Sequence, residues 1–120
     1  MITFEKVNTE NESVVKEMFH SHSLDMKKVQ YCVKVDDTYI GVIDYSVQEE
    51  SAILSQLIIH FDYQGYGYGT NTYFTFEEIM KQRNVNEIKV LQEVFTEQAK
   101  SFIVGSGFIE ENGIYVKKIK

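Results

Sequence analysis

The residues best suited to chemistry in this chain form a glycine-rich hexapeptide, QGYGYG, from Gln64 to Gly69. It follows an apolar run, Ala52 to Ile59, and precedes a segment with helical character. Where a strand passes through a glycine loop into a helix, unpaired backbone N–H groups and the helix dipole favour a bound phosphate. The sequence therefore predicts a pyrophosphate cradle. The same glycines would also suit a flexible turn that needs only positive φ angles.

The other reactive side chains do not form a second cluster along the sequence. The single cysteine, Cys32, lies in the alternating run YCVKV, which favours a buried structural thiol over a nucleophile. His20 and His22 would point to different sides of a helix, so no metal site is expected, and we interpret both as a solvated helix end.

Length and charge restrict the class of protein. The 120 residues, 43% of them hydrophobic, predict one domain over residues 1–120. A net charge of −6 argues against nucleic-acid binding. The N-terminus MITFEKVNTENE has no signal-peptide pattern, and no apolar run is long enough for a membrane span, so we expect no membrane partner and a cytoplasmic protein.

The pattern of apolar residues predicts alternating elements that place the loop. A helix bearing Val14, Val15, Met18 and Phe19 should start at a capping box formed by Thr9 and Glu12. The expected strands are Ile2–Val7, Tyr31–Val35, Tyr39–Val47, Ala52–Ile59, Ile88–Val94 and a terminal hairpin turning at Asn112-Gly113. Further helices should run from Tyr68 to Arg83, capped by Asn84, and from a cap at Thr96 to Val104. The strands on either side of the Tyr68 helix should be parallel.

This order of elements resembles the GNAT superfamily of N-acetyltransferases along most of the chain. Gln64, Gly67 and Gly69 match the family's Gln/Arg-x-x-Gly-x-Gly/Ala signature, and the Gly107-Phe108 pair before the closing hairpin is also typical. The resemblance implies an α+β (mixed α/β) fold with a mostly antiparallel sheet, a splayed parallel strand pair and helices on its faces. The segment Thr9–Val29 has room for one good helix where the family usually has two, so the N-terminal half is abbreviated.

The resemblance also implies acetyl-CoA as co-substrate and no metal. It assigns the pyrophosphate to the backbone amides of Gln64, Gly65, Tyr66, Gly67, Tyr68, Gly69 and Thr70. It assigns the thioester carbonyl and the pantetheine arm to the backbones of Leu57 and Ile59.

The catalytic residues match the family less well. The tyrosine that usually protonates the departing thiolate corresponds to Ile103. Two residues remain as candidates for the general base: Glu93, at the end of the fifth strand, and His60, at the end of the fourth.

The functional expectation is an N-acetyltransferase that transfers the acetyl group of acetyl-CoA to a primary amine by direct attack. The acceptor, a small molecule or a peptide, stays open. The alternative is a catalytically silent acyl-CoA-binding sensor or regulatory module, which Ile103 and the short N-terminal half favour. A nucleotide-binding protein is a weaker interpretation, because the loop lacks the Lys-Ser/Thr ending of a P-loop. Exposed strand edges are compatible with a homodimer.

Overall fold

The computed structural model describes residues 1–91 and 97–120, whose strands form one seven-stranded mixed sheet. The strands are β1 Ile2–Lys6, β2 Tyr31–Val35, β3 Thr38–Gln48, β4 Ser51–Ile59, β5 Glu87–Leu91, β6 Ile109–Glu111 and β7 Ile114–Lys118. The helices are α1 Glu12–His20, α2 Tyr68–Gln82 and α3 Glu97–Gly105, with a short 3₁₀ helix at Phe61–Tyr63.

The strand order in the sheet is β1-β2-β3-β4-β5-β7-β6. β4 and β5 are parallel, whereas β1 with β2, β2 with β3, β5 with β7 and β6 with β7 are antiparallel. The parallel register begins with Ser51 opposite Glu87 and ends with Leu54 opposite Val90, while β4 itself continues to Ile59. The expected α+β fold with one parallel pair is confirmed. The predicted end of the fifth strand at Val94, the splay beyond it and the Thr96 cap involve residues outside the described part.

Two compact units can be distinguished within the chain. The first unit comprises Met1–Asp44 and Gln56–Thr75, and the second comprises Tyr45–Ser55 and Phe76–Lys120.

In the first unit, α1 packs on one face of the strands. Val15, Met18 and Phe19 of α1 form a buried cluster with side chains that include Cys32 and Ile58. Burial raises the pKa of the Cys32 thiol to about 11, so it stays protonated at neutral pH. Cys32 is thus a structural core residue, as predicted.

The start of α1 differs from the prediction. Its N-cap is Asn11, so the capping box of Thr9 and Glu12 was wrong. The buried Asn11 amide accepts a hydrogen bond from the Asn8 backbone N–H (2.7 Å) and donates to the Glu5 carboxylate (2.8 Å). Its side-chain amide accepts through the oxygen and donates through the nitrogen, and so Asn11 joins β1 to the segment that precedes the helix.

In the second unit, β5 lies between the first half of β4 and β7. Ala52, Leu54, Ile88 and Val90 are fully buried. The β6–β7 hairpin turns at Asn112 and Gly113, both with positive φ (53° and 82°), which confirms the predicted two-residue turn.

Candidate cofactor site

The predicted cradle lies where β4 ends and α2 begins, and the whole of it belongs to the first unit. β4 is held close to β3 by Gly41, because a Cβ at that position would collide with the Ile58 carbonyl oxygen. After the 3₁₀ helix, the chain passes Gly65 (φ 86°) and Gly67 (φ 81°) and enters α2 at Tyr68. These two φ angles are disfavoured for residues with a Cβ, so glycine is required by the backbone path.

Gly69 has a different role from the other two glycines. It lies in the first turn of α2 without a positive φ, and a Cβ there would lie 3.7 Å from the Ile59 side chain, an ordinary packing distance. Because Ile58 packs with α1 and Ile59 faces the start of α2, these two helix segments lie on opposite faces of β4.

The loop ends in a set of unpaired backbone donors. The Asn71 amide donates to the Gly67 carbonyl (3.0 Å) and so closes the first turn of α2. The preceding amides, at residues 67–70, have no acceptor within the described part of the chain, as expected for a helix N-terminus. The first turn of α2 contains no acidic side chain. Donors of this kind, unopposed by a carboxylate, are suited to an anion.

Aromatic side chains border the loop. Tyr68 packs edge-on against Tyr63 (centroids 6.4 Å apart) and contacts Tyr66 (6.3 Å). The sequence from His60 to Thr75 contains no lysine or arginine. The loop itself therefore attracts an anion through hydrogen-bond donors and the helix dipole, without a lysine or arginine of its own.

The backbone of Ile59 was expected to bind the pantetheine arm, and the structure shows where its carbonyl points. The His60 amide donates to the Ile40 carbonyl on β3 (2.8 Å). Peptide bonds in the described residues are trans, so the Ile59 carbonyl points the opposite way, away from β3. There, its oxygen lies 2.7 Å from His22 Nε2 and 3.3 Å from Gln64 Nε2.

His22 is the site residue that sequence reasoning missed. Its interpretation as part of a solvated helix end was wrong, whereas His20 is exposed as expected. A carbonyl oxygen can only accept, so His22 Nε2 carries the proton that it donates to Ile59. His22 Nε2 and Gln64 Nε2 lie 3.2 Å apart, and both donate to the Ile59 carbonyl oxygen. No local sequence pattern could have predicted this contact, because it joins residues 37 positions apart.

His60, a candidate base, acts as a cap in this structure. Its Nδ1 accepts from the Asp62 backbone N–H (3.1 Å) at the start of the 3₁₀ helix, and its Nε2 lies 3.6 Å from the Glu17 carboxylate. The ring is 13% exposed and borders a cavity of about 360 Å³ that Glu17, Asp62 and Tyr63 also line. The Nε2 side of the ring thus faces the Glu17 carboxylate, while the Asp62 carboxylate lies 3.8 Å from Nδ1.

Two other positions were considered for catalysis. Glu93 falls outside the described residues. Ile103 on α3 is 2% exposed, so the position of the family's usual tyrosine is occupied here by a buried core residue.

Metal-binding and membrane-spanning features are absent from the part of the chain that the structure describes. Residues 1–91 and 97–120 contain no group of three or more His, Cys, Asp or Glu side chains placed to bind a metal ion. None of the helices described is long and apolar enough to cross a membrane.

Comparison with known proteins identifies the family. The model of the acetyltransferase (GNAT) family matches residues 2–108, and the chain therefore belongs to this family. The fold is similar to that of an acetyltransferase from Thermus thermophilus, with 17% identity and a TM-score of 0.81 over 99% of this chain and 97% of that one. No curated protein sequence matches the chain.

Two further solved structures have the same fold. The ribosomal-protein-S18-alanine N-acetyltransferase from Escherichia coli is 14% identical, with a TM-score of 0.80 over 100% of this chain and 95% of that one. The PaiA N-acetyltransferase from Thermoplasma acidophilum, in complex with coenzyme A, is 16% identical, with a TM-score of 0.71 over 98% and 99%.

Proposed function

We propose that this protein is an N-acetyltransferase that transfers the acetyl group of acetyl-CoA to a primary amine by direct attack. The amine nitrogen forms a bond to the thioester carbonyl carbon, the C–S bond breaks, CoA leaves as the thiolate, and the nitrogen loses a proton. The acceptor is a small-molecule or peptide amine. The single-domain organisation, a cytoplasmic location and a possible homodimer remain predictions from the sequence.

The observation that carries this proposal is the row of unpaired amides at residues 67–70. The site fits a pyrophosphate because the space beside it is open: a Cβ at Gly65 or Gly67 would meet no atom within 4 Å. The PaiA structure shows that a protein of this fold binds coenzyme A.

Backbone groups of β4 would orient the rest of the co-substrate. CoA joins its pyrophosphate to a linear arm with amide groups, and the edge of an extended strand offers amide and carbonyl partners to such an arm. Leu57 and Ile59 are the strand residues assigned to this task, with the Leu57 N–H donating to the thioester carbonyl. Hydrogen bonds there would stabilise the negative charge that develops on that oxygen during attack.

Glu93 is our first candidate for the base that accepts the amine proton, and His60 is the second. We rank His60 below Glu93 because its Nδ1 already accepts a hydrogen bond from the Asp62 backbone N–H at the start of the 3₁₀ helix. With Ile103 buried at the usual tyrosine position, the thiolate would leave without a proton from that side chain.

The competing function is a silent acyl-CoA-binding sensor, and the buried Ile103 is the observation that favours it. Both functions predict CoA binding. They differ in whether acetyl transfer occurs.

A thermal-shift screen with acetyl-CoA, CoA, ATP and NAD tests the binding step. A ligand at 100 times its Kd should raise the free energy of unfolding by about 2.7 kcal/mol, and only the two CoA species should do so. Stabilisation by ATP or NAD alone would refute the CoA site.

Turnover then separates the enzyme from the sensor. With a panel of amines and peptides, wild type should release CoA, and Glu93→Gln should keep CoA affinity while lowering kcat by roughly 100-fold. The loss should shrink at high pH, where more of the amine is already neutral. His60→Ala is the matched variant, and a larger loss there would transfer the role to His60. No acetylation across the panel, together with intact CoA binding, would favour the sensor.

A further inference from the structure

The Ile59 carbonyl is already engaged by side chains of this chain. His22 Nε2–H donates to it at 2.7 Å, and the Gln64 amide is a longer donor at 3.3 Å. The carbonyl points away from its strand partner Ile40, so these donors lie at the edge of β4 that an added strand or an extended ligand would use. Both lone pairs of this oxygen therefore have a donor, so a pantetheine amide that bonds to the Ile59 carbonyl must displace one of the two.

His22 is placed there by the turn that ends α1. The Ser23 amide donates to the His20 carbonyl (2.9 Å) and the Leu24 amide to the Phe19 carbonyl (3.0 Å), the pattern of a Schellman motif. The left-handed position of this motif usually holds glycine, but here it is Ser23, with φ 56°. A residue with a Cβ costs about 1 kcal/mol or more in this conformation. The turn that positions His22 therefore forms although Ser23 disfavours the left-handed backbone conformation that the turn requires.

The segment beyond this turn lies outside the buried core. Residues 24–28 are exposed, and the buried cluster resumes at Val29. Phe19, on the other side of the turn, is 1% exposed and anchors α1. The His22 side chain can therefore leave Ile59 through a change confined to the helix end and the exposed segment.

We propose that His22 occupies the pantetheine acceptor of this protein in the free state, so that CoA must displace its imidazole from the Ile59 carbonyl in order to bind. This inference rests on the proposed function. His22 is then a resident competitor for the cofactor site, and the exposed segment that follows it is the part that yields when the cofactor enters.

The competition makes an unusual prediction: removing His22 should tighten CoA binding. One net hydrogen bond is worth about a fivefold change in an equilibrium constant, so His22→Ala should lower the Kd for CoA about fivefold, measured by isothermal titration calorimetry. Adenosine bisphosphate, the nucleotide half of CoA, lacks the pantetheine arm, and its Kd should not change. His20→Ala removes an exposed imidazole from the same helix end and should match wild type for both ligands.

Each other result has a defined meaning. If His22 merely braces the loop, His22→Ala will weaken both CoA and adenosine bisphosphate, and the competition is refuted. An unchanged CoA affinity refutes it as well, while leaving the proposed function intact. Absence of CoA binding in wild type would overturn the proposed function and, with it, this inference. His22→Ser, polar but too short to reach Ile59, should repeat the result of His22→Ala and provides a second variant should alanine impair folding.

Discussion

Gly67 provides the most direct test of the cradle, through the substitution Gly67→Val. Its φ of 81° lies in a region that a β-branched residue rarely adopts, while a Cβ there would meet no atom within 4 Å. The cost is therefore one of backbone conformation, roughly 1–2 kcal/mol, and not of collision. If the loop relieves this strain by moving to negative φ, the amides that follow at residues 68–70 change direction.

Loss of one charge-assisted hydrogen bond costs about 1.5–3 kcal/mol, so the Kd for CoA should rise at least about tenfold in Gly67→Val. Isothermal titration calorimetry measures this directly. Gly113→Val is a matched control, because Gly113 also has a positive φ (82°) and open space around its Cβ position, but lies in the β6–β7 turn. Gly113→Val should lose similar stability and keep CoA affinity. Equal CoA affinity in wild type and Gly67→Val, or an equal loss in both variants, would refute the cradle.

Two further predictions concern stability. Hydrogen bonds from Tyr39, Asn11 and Lys34 lower the pKa of Glu5 from 4.5 to about 2. Its charge therefore stabilises the fold fully above pH 4.5, and this contribution is lost as the pH falls towards 2. The difference in Tm between wild type and Glu5→Gln should shrink over that range, and a constant difference would contradict this assignment. Ile103→Tyr, which restores the family's hydroxyl, should lower the free energy of unfolding by about 1–3 kcal/mol, measured by chemical denaturation. The reason is that Ile103 is 2% exposed, so the larger ring overpacks the core. Unchanged stability would show that the ring is accommodated and that a gain in turnover can be sought.

Features encoded by neighbouring residues could be predicted from the sequence. The glycine loop, the Asn112-Gly113 turn and the left-handed Asn84 (φ 62°) after α2 all follow from the backbone preferences of residues close in the chain. The parallel pair of β4 and β5 followed from the helix between them. These local rules were enough to place the proposed cofactor loop.

Contacts between distant residues were decided only by the tertiary structure. His22 was interpreted as a solvated helix end, yet its imidazole binds the Ile59 carbonyl from 37 positions away. Asn11, and not Thr9, occupies the N-cap position of α1, and its side chain bonds to Glu5 on β1 and not to the helix. A side chain's hydrogen-bond partner depends on which strands and helix ends the fold brings together. The sequence by itself therefore predicted which loop would hold a phosphate, while the folded chain determined which side chain contacts the strand beside that loop.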